Sequence, residues 1–141
     1  MGQQQLILLV LGLVIVGLGV VVGITAFDEN QRKASVDALT QDVVRLAGEA
    51  QAWRLKPGVY GGGGGAFDGV SFDALGYPTT DDAYTTATGR FTMDVDGADL
   101  LLVGVDAGLG TGAAARVCGL TANDIVTVSG DAAIAAPATC P

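Results

Sequence analysis

A chain of 141 residues is long enough for one small domain and an appended segment, and half of its residues are apolar, which is high for a water-soluble domain. Its 15 acidic and 7 basic residues give a formal net charge of −8, and ten of the acidic residues follow Lys56, where only Arg90 and Arg116 oppose them. An acidic domain repels phosphate backbones, so the charge argues against nucleic acid as a partner.

The first predicted element is an apolar helix within residues 1–27. Residues 6–27 contain no charged side chain, and about 20 apolar residues span the core of a bilayer as a helix. A secretory signal opens with positive charge and has a shorter apolar run, whereas residues 1–5 carry no charge. Residues 1–27 are therefore expected to form a transmembrane or filament-core helix.

Glycine spacing in this helix indicates that such helices pack against one another. Gly19 and Gly23 lie four residues apart, and small residues at that spacing let two apolar helices approach closely. Each glycine also weakens the helix by about 1 kcal/mol relative to alanine. Glycine is common in membrane helices, so its presence alone does not require packing. The residues expected to mediate assembly are Gln5, Leu6, Gly12, Val14, Ile15, Gly17, Gly19, Gly23 and Phe27.

Opposing signals leave the orientation of this helix in a membrane open. Arg32 and Lys33 follow the apolar run, and positive residues usually stay on the cytoplasmic side. A disulfide between Cys118 and Cys140 would instead place the C-terminal domain in an oxidising compartment.

Residues 28–56 are predicted to continue the helix with one apolar stripe. The apolar residues recur at spacings of three and four, which places them on one face. Pro57 and Gly58 end the pattern, so one helix is expected over residues 3–55. The stripe needs a partner, and the rest of the chain is the candidate. The residues expected to make this contact are Val36, Leu39, Val43, Leu46, Ala50 and Trp53.

Residues 57–141 are predicted to form an acidic, β-rich head domain. Five consecutive glycines at 61–65 are either a flexible linker or the point where the chain turns back along the helix. Residues 79–89 are polar and are expected to form a loop. The fold class is expected to be α+β, with the long helix packed on a small antiparallel sheet of three or four strands. The predicted strands are residues 90–95, 100–105, 116–120 and 125–128.

Cys118 and Cys140 are the two cysteines of the chain. A disulfide between them would tie down the end of the chain, and the alternative is two unrelated buried thiols. No metal site is expected, because the chain has no histidine and two thiols do not complete a zinc site.

Two further motifs carry weak signals. Residues 108–112 read Gly-Leu-Gly-Thr-Gly, as in a dinucleotide-binding loop, but too little chain follows for a Rossmann unit, so an ordinary loop is favoured. Asp94, Asp96, Asp99 and Asp106 lack the spacing of an EF-hand, so a solvated turn is favoured over a calcium site.

No catalytic set of residues emerges, so the chain is expected neither to be an enzyme nor to hold a cofactor. Six aromatic residues are better explained by packing between helix, loop and sheet than by an electron path. They are Trp53, Tyr60, Phe67, Phe72, Tyr77 and Tyr84.

The order of these features resembles that of type IV pilins over the whole chain. The resemblance rests on the apolar helix, its amphipathic continuation, the glycine-rich exit, the antiparallel sheet and the two late cysteines. Pilins usually carry a basic leader ending in glycine, followed by phenylalanine and a nearby glutamate. Here there is no leader beyond Met1-Gly2, and Gln5 is the nearest polar substitute for the glutamate, so the resemblance is to a variant without the usual leader and glutamate.

The resemblance implies a structural subunit that polymerises with copies of itself into an extracellular filament on the cell surface. Before assembly it would lie in the inner membrane and interact with a pilus or secretion machinery. The alternatives are a pseudopilin or minor pilin of a secretion machine, and a monomeric membrane-anchored binding domain. The filament and the pseudopilin require self-association through residues 6–27, and the anchored monomer does not.

Overall fold

The computed structural model describes residues 2–131 and 140, and its first element is one unbroken helix, α1, over Gly2–Leu55. Its length follows from the sequence, because no proline and only single, separated glycines occur before Pro57. The chain divides into two compact units, Met1–Lys33 and Ala34–Pro141. The first unit is helical throughout its described residues, and the second contains the remainder of α1 and the head domain.

The glycines that follow α1 form its C-terminal cap, which is the second of the two roles expected for them. The amides of Gly63 and Gly65 donate hydrogen bonds to the carbonyls of Trp53 and Arg54, at 3.0 and 2.8 Å. These bonds satisfy carbonyls that the end of a helix leaves free. Gly65 has a φ of 106°, which favours glycine, and a Cβ on Gly63 would lie 2.6 Å from the Trp53 ring.

Five strands form one antiparallel sheet in chain order, so each strand pairs with the next one in sequence. Two short 3₁₀ turns lie at Gly58–Tyr60 and Ala122–Asp124. The long helix packed on an antiparallel sheet confirms the expected α+β class. The strands are β1 Ala83–Thr85, β2 Arg90–Asp96, β3 Asp99–Asp106, β4 Thr111–Val117 and β5 Ile125–Asp131.

The expected count of three or four strands was wrong, and so was the placement of one strand. β1 lies inside residues 79–89, which were expected to be a loop, and it forms because Tyr84 pairs opposite Phe91 of β2. The strand expected at residues 116–120 begins at Thr111 instead and pairs with β3 and β5 along its length. Glycine and three alanines in β4 have low strand propensity, so tertiary pairing rather than local preference makes this strand.

The core of the second unit lies between α1 and one face of the sheet. Two residues at the ends of the apolar stripe, Val36 and Trp53, are half-buried. The helix contributes five buried residues: Leu39, Val43, Leu46, Ala47 and Ala50. The sheet and the preceding loop contribute Phe67, Val70, Phe72, Phe91, Leu100, Leu102, Ala113, Ala115 and Val117.

Candidate functional site

The apolar segment of α1, residues 6–27, is exposed along its whole length. Every residue from 2 to 34 is exposed, including all nine residues predicted to mediate assembly. α1 is the one helix among the described residues that is long and apolar enough to cross a membrane, and by length and composition it suits a membrane anchor or a signal sequence. An apolar cylinder of this length is unfavourable in water, so another phase or another molecule must cover it.

Nothing in the described part of the subunit packs on the glycines of this segment. A Cβ added at Gly12, Gly17, Gly19 or Gly23 would meet nothing within 4 Å, and α1 stays helical through all four positions. The hydroxyl of Thr25 donates to the carbonyl of Val22 at 2.9 Å, so the one hydroxyl of residues 6–27 is satisfied inside the helix.

A charged turn follows the apolar segment. Lys33 and Glu29, one helical turn apart, form an ion pair of 2.8 Å. The hydrogen bond and the charge of Lys33 hold the pKa of the Glu29 carboxyl below its usual value. Both side chains are exposed, so the pair marks the water-facing end of the segment rather than stabilising the fold.

Polar contacts lock the N-terminal end of the packed half of α1 to the sheet. The Ser35 hydroxyl donates to Oδ2 of Asp106 at 3.0 Å and lies 2.8 Å from the Thr111 hydroxyl, which must be the donor to it. The other oxygen of Asp106 accepts from the amides of Gly108 and Leu109 in the β3–β4 turn. Asp106 therefore fixes both the turn and the helix.

Two further contacts continue along the same flank of the helix. The Thr88 hydroxyl donates to Oδ2 of Asp42 at 2.6 Å, and the Tyr77 hydroxyl donates to Oε2 of Glu49 at 2.5 Å. The hydrogen bond to Glu49, together with burial and the negative charge of Glu49, raises the pKa of Tyr77. On the opposite flank, Nε2 of Gln51 donates to carbonyl oxygens on either side of Leu120.

Sequence reasoning found the apolar stripe but missed these polar contacts. Ser35, Asp42 and Glu49 recur every seven residues, which is a flank of the same helical face. This spacing was a usable signal. Their partners were not identifiable, because Tyr77 and Thr88 lie in loops and Asp106 ends a strand, all far along the chain.

Cys118 and Cys140 lie at disulfide distance, with their Cα atoms 5.7 Å apart. An Asp99 carboxylate oxygen lies within 4.8 Å of both sulfur atoms. At this separation the two sulfur atoms can bond to each other, and a disulfide offers no thiolate to a metal ion. Asp99 is instead paired with the buried side chain of Arg116, which also binds Asp96 at 3.1 Å.

The remaining motifs are parts of hairpins. Residues 108–110 lie in the β3–β4 turn, and Thr111 and Gly112 begin β4, so the glycine-rich segment leads into a strand rather than a helix. Asp96 and Asp99 bind Arg116, and Asp106 caps its turn. Asp94 and Asp96 are exposed and fit the expected solvated role, whereas Asp99 and Asp106 are half-buried.

Most of the aromatic residues pack together. Tyr84 lies with its ring centroid 4.7 Å from that of Tyr77, 5.9 Å from Phe72 and 6.2 Å from Phe91. The expectation that Tyr60 packs between helix, loop and sheet was wrong, because Tyr60 is 74% exposed. Tyr60 follows the end of α1 in the 3₁₀ turn Gly58–Tyr60, which has no buried residue.

A comparison of this chain with protein-family models, with curated proteins and with solved structures finds no match.

Proposed function

We propose that this protein is a structural subunit that polymerises into an extracellular, pilus-like filament through residues 6–27. Before assembly the same residues hold the subunit in a membrane. The partners are copies of the chain itself, together with the machinery that moves subunits from the membrane into the filament.

The observation that carries the proposal is the uncovered apolar segment of α1. Its residues are all exposed, and nothing in the described part of the subunit packs on them. A bilayer covers such a helix in the membrane, and neighbouring copies cover it equally well in a bundle. Gly12, Gly17, Gly19 and Gly23 support the bundle, because a Cβ at each would meet nothing within the subunit and close helix approach gives them a use.

The properties of the head domain agree with a position outside the cell. The ten aspartates after Lys56 keep its surface acidic and soluble. The Cys118–Cys140 pair at disulfide distance suits an oxidising compartment. The apolar and polar contacts with residues 35–53 of α1 fix the head to the helix that would enter the filament core.

Replacement of Val14 or Ile15 by Asp tests this function. Each substitution places a charge in the middle of the segment that neighbours would bury, and an unpaired buried charge costs several kcal/mol. We expect filaments to disappear from sheared cell-surface material examined by electron microscopy. Normal filaments from either variant would contradict the proposal.

Val44→Asp is the matched control. Val44 is an exposed apolar residue of the same helix, outside residues 6–27 and outside the core. The same charge there should leave assembly unchanged. If the wild-type protein forms no filament and remains a single copy in the membrane, an anchored monomer replaces the proposed function.

A further inference from the structure

One end of the head domain carries an exposed apolar projection, here called the tip and formed by Leu55, Lys56, Val59 and Tyr60. Val59 is 93% exposed, Tyr60 74% and Leu55 64%. Such exposure of three neighbouring large apolar side chains is unusual for a solvated loop. The tip is also held in shape, because the Tyr60 amide donates to the carbonyl of Pro57 at 3.0 Å and the glycine cap follows directly.

A groove on the same domain has complementary properties. Its volume is about 230 Å³, and the surface that lines it is more polar than apolar and includes two carboxylates. Sites for drug-sized ligands are roughly 300–1,000 Å³, so this groove suits a single side chain of a protein. The lining residues are Val70, Ser71, Phe72, Asp73, Thr79, Asp82 and Met93.

We propose that the tip of one copy of this chain inserts into the groove of a second copy. Val59 or Tyr60 would contact Met93, and Lys56 would pair with Asp73 or Asp82. The charges match: among the described residues, Lys56 has no ion-pair partner, and neither do the two aspartates. The tip does not occupy the groove of its own chain, because Tyr60 is exposed.

The contact is heterologous, since tip and groove are different surfaces. Each copy offers its groove to one neighbour and inserts its tip into another, so the contact propagates along an open polymer instead of closing a dimer. The inference rests on the proposed filament function and adds to it a second contact, made by the head domains rather than by residues 6–27.

Cross-linking from Tyr60 tests where the tip binds. A benzophenone-bearing amino acid replaces Tyr60 in the full chain, and filaments are formed from a mixture of isotopically labelled and unlabelled copies. We expect adducts between copies that contain residues 70–82 or Met93. The control is the same amino acid at Thr127, an exposed residue of β5, which should give no such adduct. Adducts within one copy, or only to lipid or to another protein, would overturn the contact.

Charge reversal tests the pairing independently. Lys56→Glu and Asp82→Lys should each raise the protein concentration needed for assembly about tenfold or more, because like charges then face each other. The double variant restores opposite charges and should recover assembly. Lys56→Glu combined with Asp131→Lys is the control and should not recover, because Asp131 is exposed at the end of β5, away from the groove.

The outcomes separate the two proposals. A wild-type protein that forms no filament contradicts the proposed function itself. If filaments form while Lys56→Glu assembles normally and Tyr60 gives no adduct in the groove, the filament stands and the tip contact is wrong. If both single charge reversals impair assembly and the double variant does not recover it, the pairing of Lys56 with Asp82 is wrong.

Discussion

The hydroxyl of Tyr77 donates a 2.5 Å hydrogen bond to Oε2 of Glu49, which joins the loop before the sheet to the packed half of α1. Nη1 of Arg45 lies 3.3 Å from the same hydroxyl and 3.7 Å from the Glu49 carboxylate. The Tyr77 ring in turn packs on Tyr84 of β1. The pair therefore connects helix, loop and edge strand at one point.

Tyr77→Phe should destabilise the head domain by about 1.5–3 kcal/mol, the usual range for losing one hydrogen bond to a charged group. The substitution should also change how the free energy of unfolding depends on pH in the alkaline range. The folded-state pKa of Tyr77 is raised above its ordinary value of 10.0, mainly by the hydrogen bond to Glu49. The stability that the Tyr77 hydroxyl contributes to the folded state is therefore fully present below pH 10.0 and is lost as pH rises through the higher folded-state pKa.

Thermal unfolding of the full chain in detergent, followed by near-ultraviolet circular dichroism, measures both effects. The wild-type protein should lose more stability than Tyr77→Phe between neutral pH and pH above 10.0. Glu49→Gln is the control, because it removes the charged acceptor and should weaken the same alkaline dependence. Identical pH profiles for wild type and Tyr77→Phe would show that this bond does not couple to folding.

Gly63→Ala should destabilise the domain by about 1–3 kcal/mol, because the new methyl group meets the Trp53 ring and the carbonyl of Ala66. Gly48 provides the matched control within the same domain. It is exposed in α1 with nothing within 4 Å of an added Cβ, so Gly48→Ala should stabilise by about 0.5–1 kcal/mol. Opposite shifts of the unfolding midpoint are expected. An unchanged midpoint for Gly63→Ala would mean that the glycines form a linker after all.

The sequence was most informative where one physical rule decides the structure. The helix of residues 2–55 follows from uninterrupted apolar and amphipathic periodicity. β2 follows from alternating apolar residues and β3 from an apolar run, on either side of the turn signal Asp96-Gly97. β4 was misplaced because its residues 112–115 are glycine and alanine, which are poor strand formers on their own. Ala113 and Ala115 are nonetheless buried in the core that the sheet shares with α1.

The candidate site likewise has one part that the sequence reveals and another that it does not. Residues 6–27 are recognisable because charge is absent over a length that matches a bilayer. The tip and the groove are not recognisable from the sequence. An aromatic residue such as Tyr60 usually packs inside a domain, and the groove brings together Phe72, Asp82 and Met93 from separate segments. Their positions depend on the hydrogen bonds of the glycine cap and on the pairing of β1 with β2, which residue type alone does not reveal.

Loss of the Cys118–Cys140 bond should destabilise the head domain by roughly 3 kcal/mol in the chain-entropy model. The two residues are 22 apart in sequence, so the bond closes a loop of moderate length. Mass spectrometry of the unreduced protein should show the linked peptides, and paired Cys118→Ser and Cys140→Ser substitutions should lower the unfolding midpoint. Two thiols open to alkylation in freshly isolated protein would contradict the bond.

In filaments, the apolar helix should unwind first where its helical conformation is least stable. Gly12, Gly17, Gly19 and Gly23 each cost about 1 kcal/mol of helix stability relative to alanine. In the single subunit α1 is nonetheless unbroken through all four, as expected where no water competes for the backbone in a bilayer. In a filament under tension the hydrogen-bond ladder should open first at these glycines, so we expect any non-helical segment to lie between residues 12 and 23, and first within residues 17–23.

Close helix packing is the competing explanation for the same glycines, and the two explanations differ in what alanine does. If residues 17–23 unwind, Gly19→Ala with Gly23→Ala should restore helix there and make filaments less extensible under load, while assembly persists. If the glycines serve packing, the added methyl groups should separate neighbouring helices and weaken assembly itself. A density map of the wild-type filament distinguishes the two explanations before any variant is made. Unbroken helical density over residues 6–27 would exclude unwinding and leave close approach between copies as the reason for four glycines that the subunit does not use.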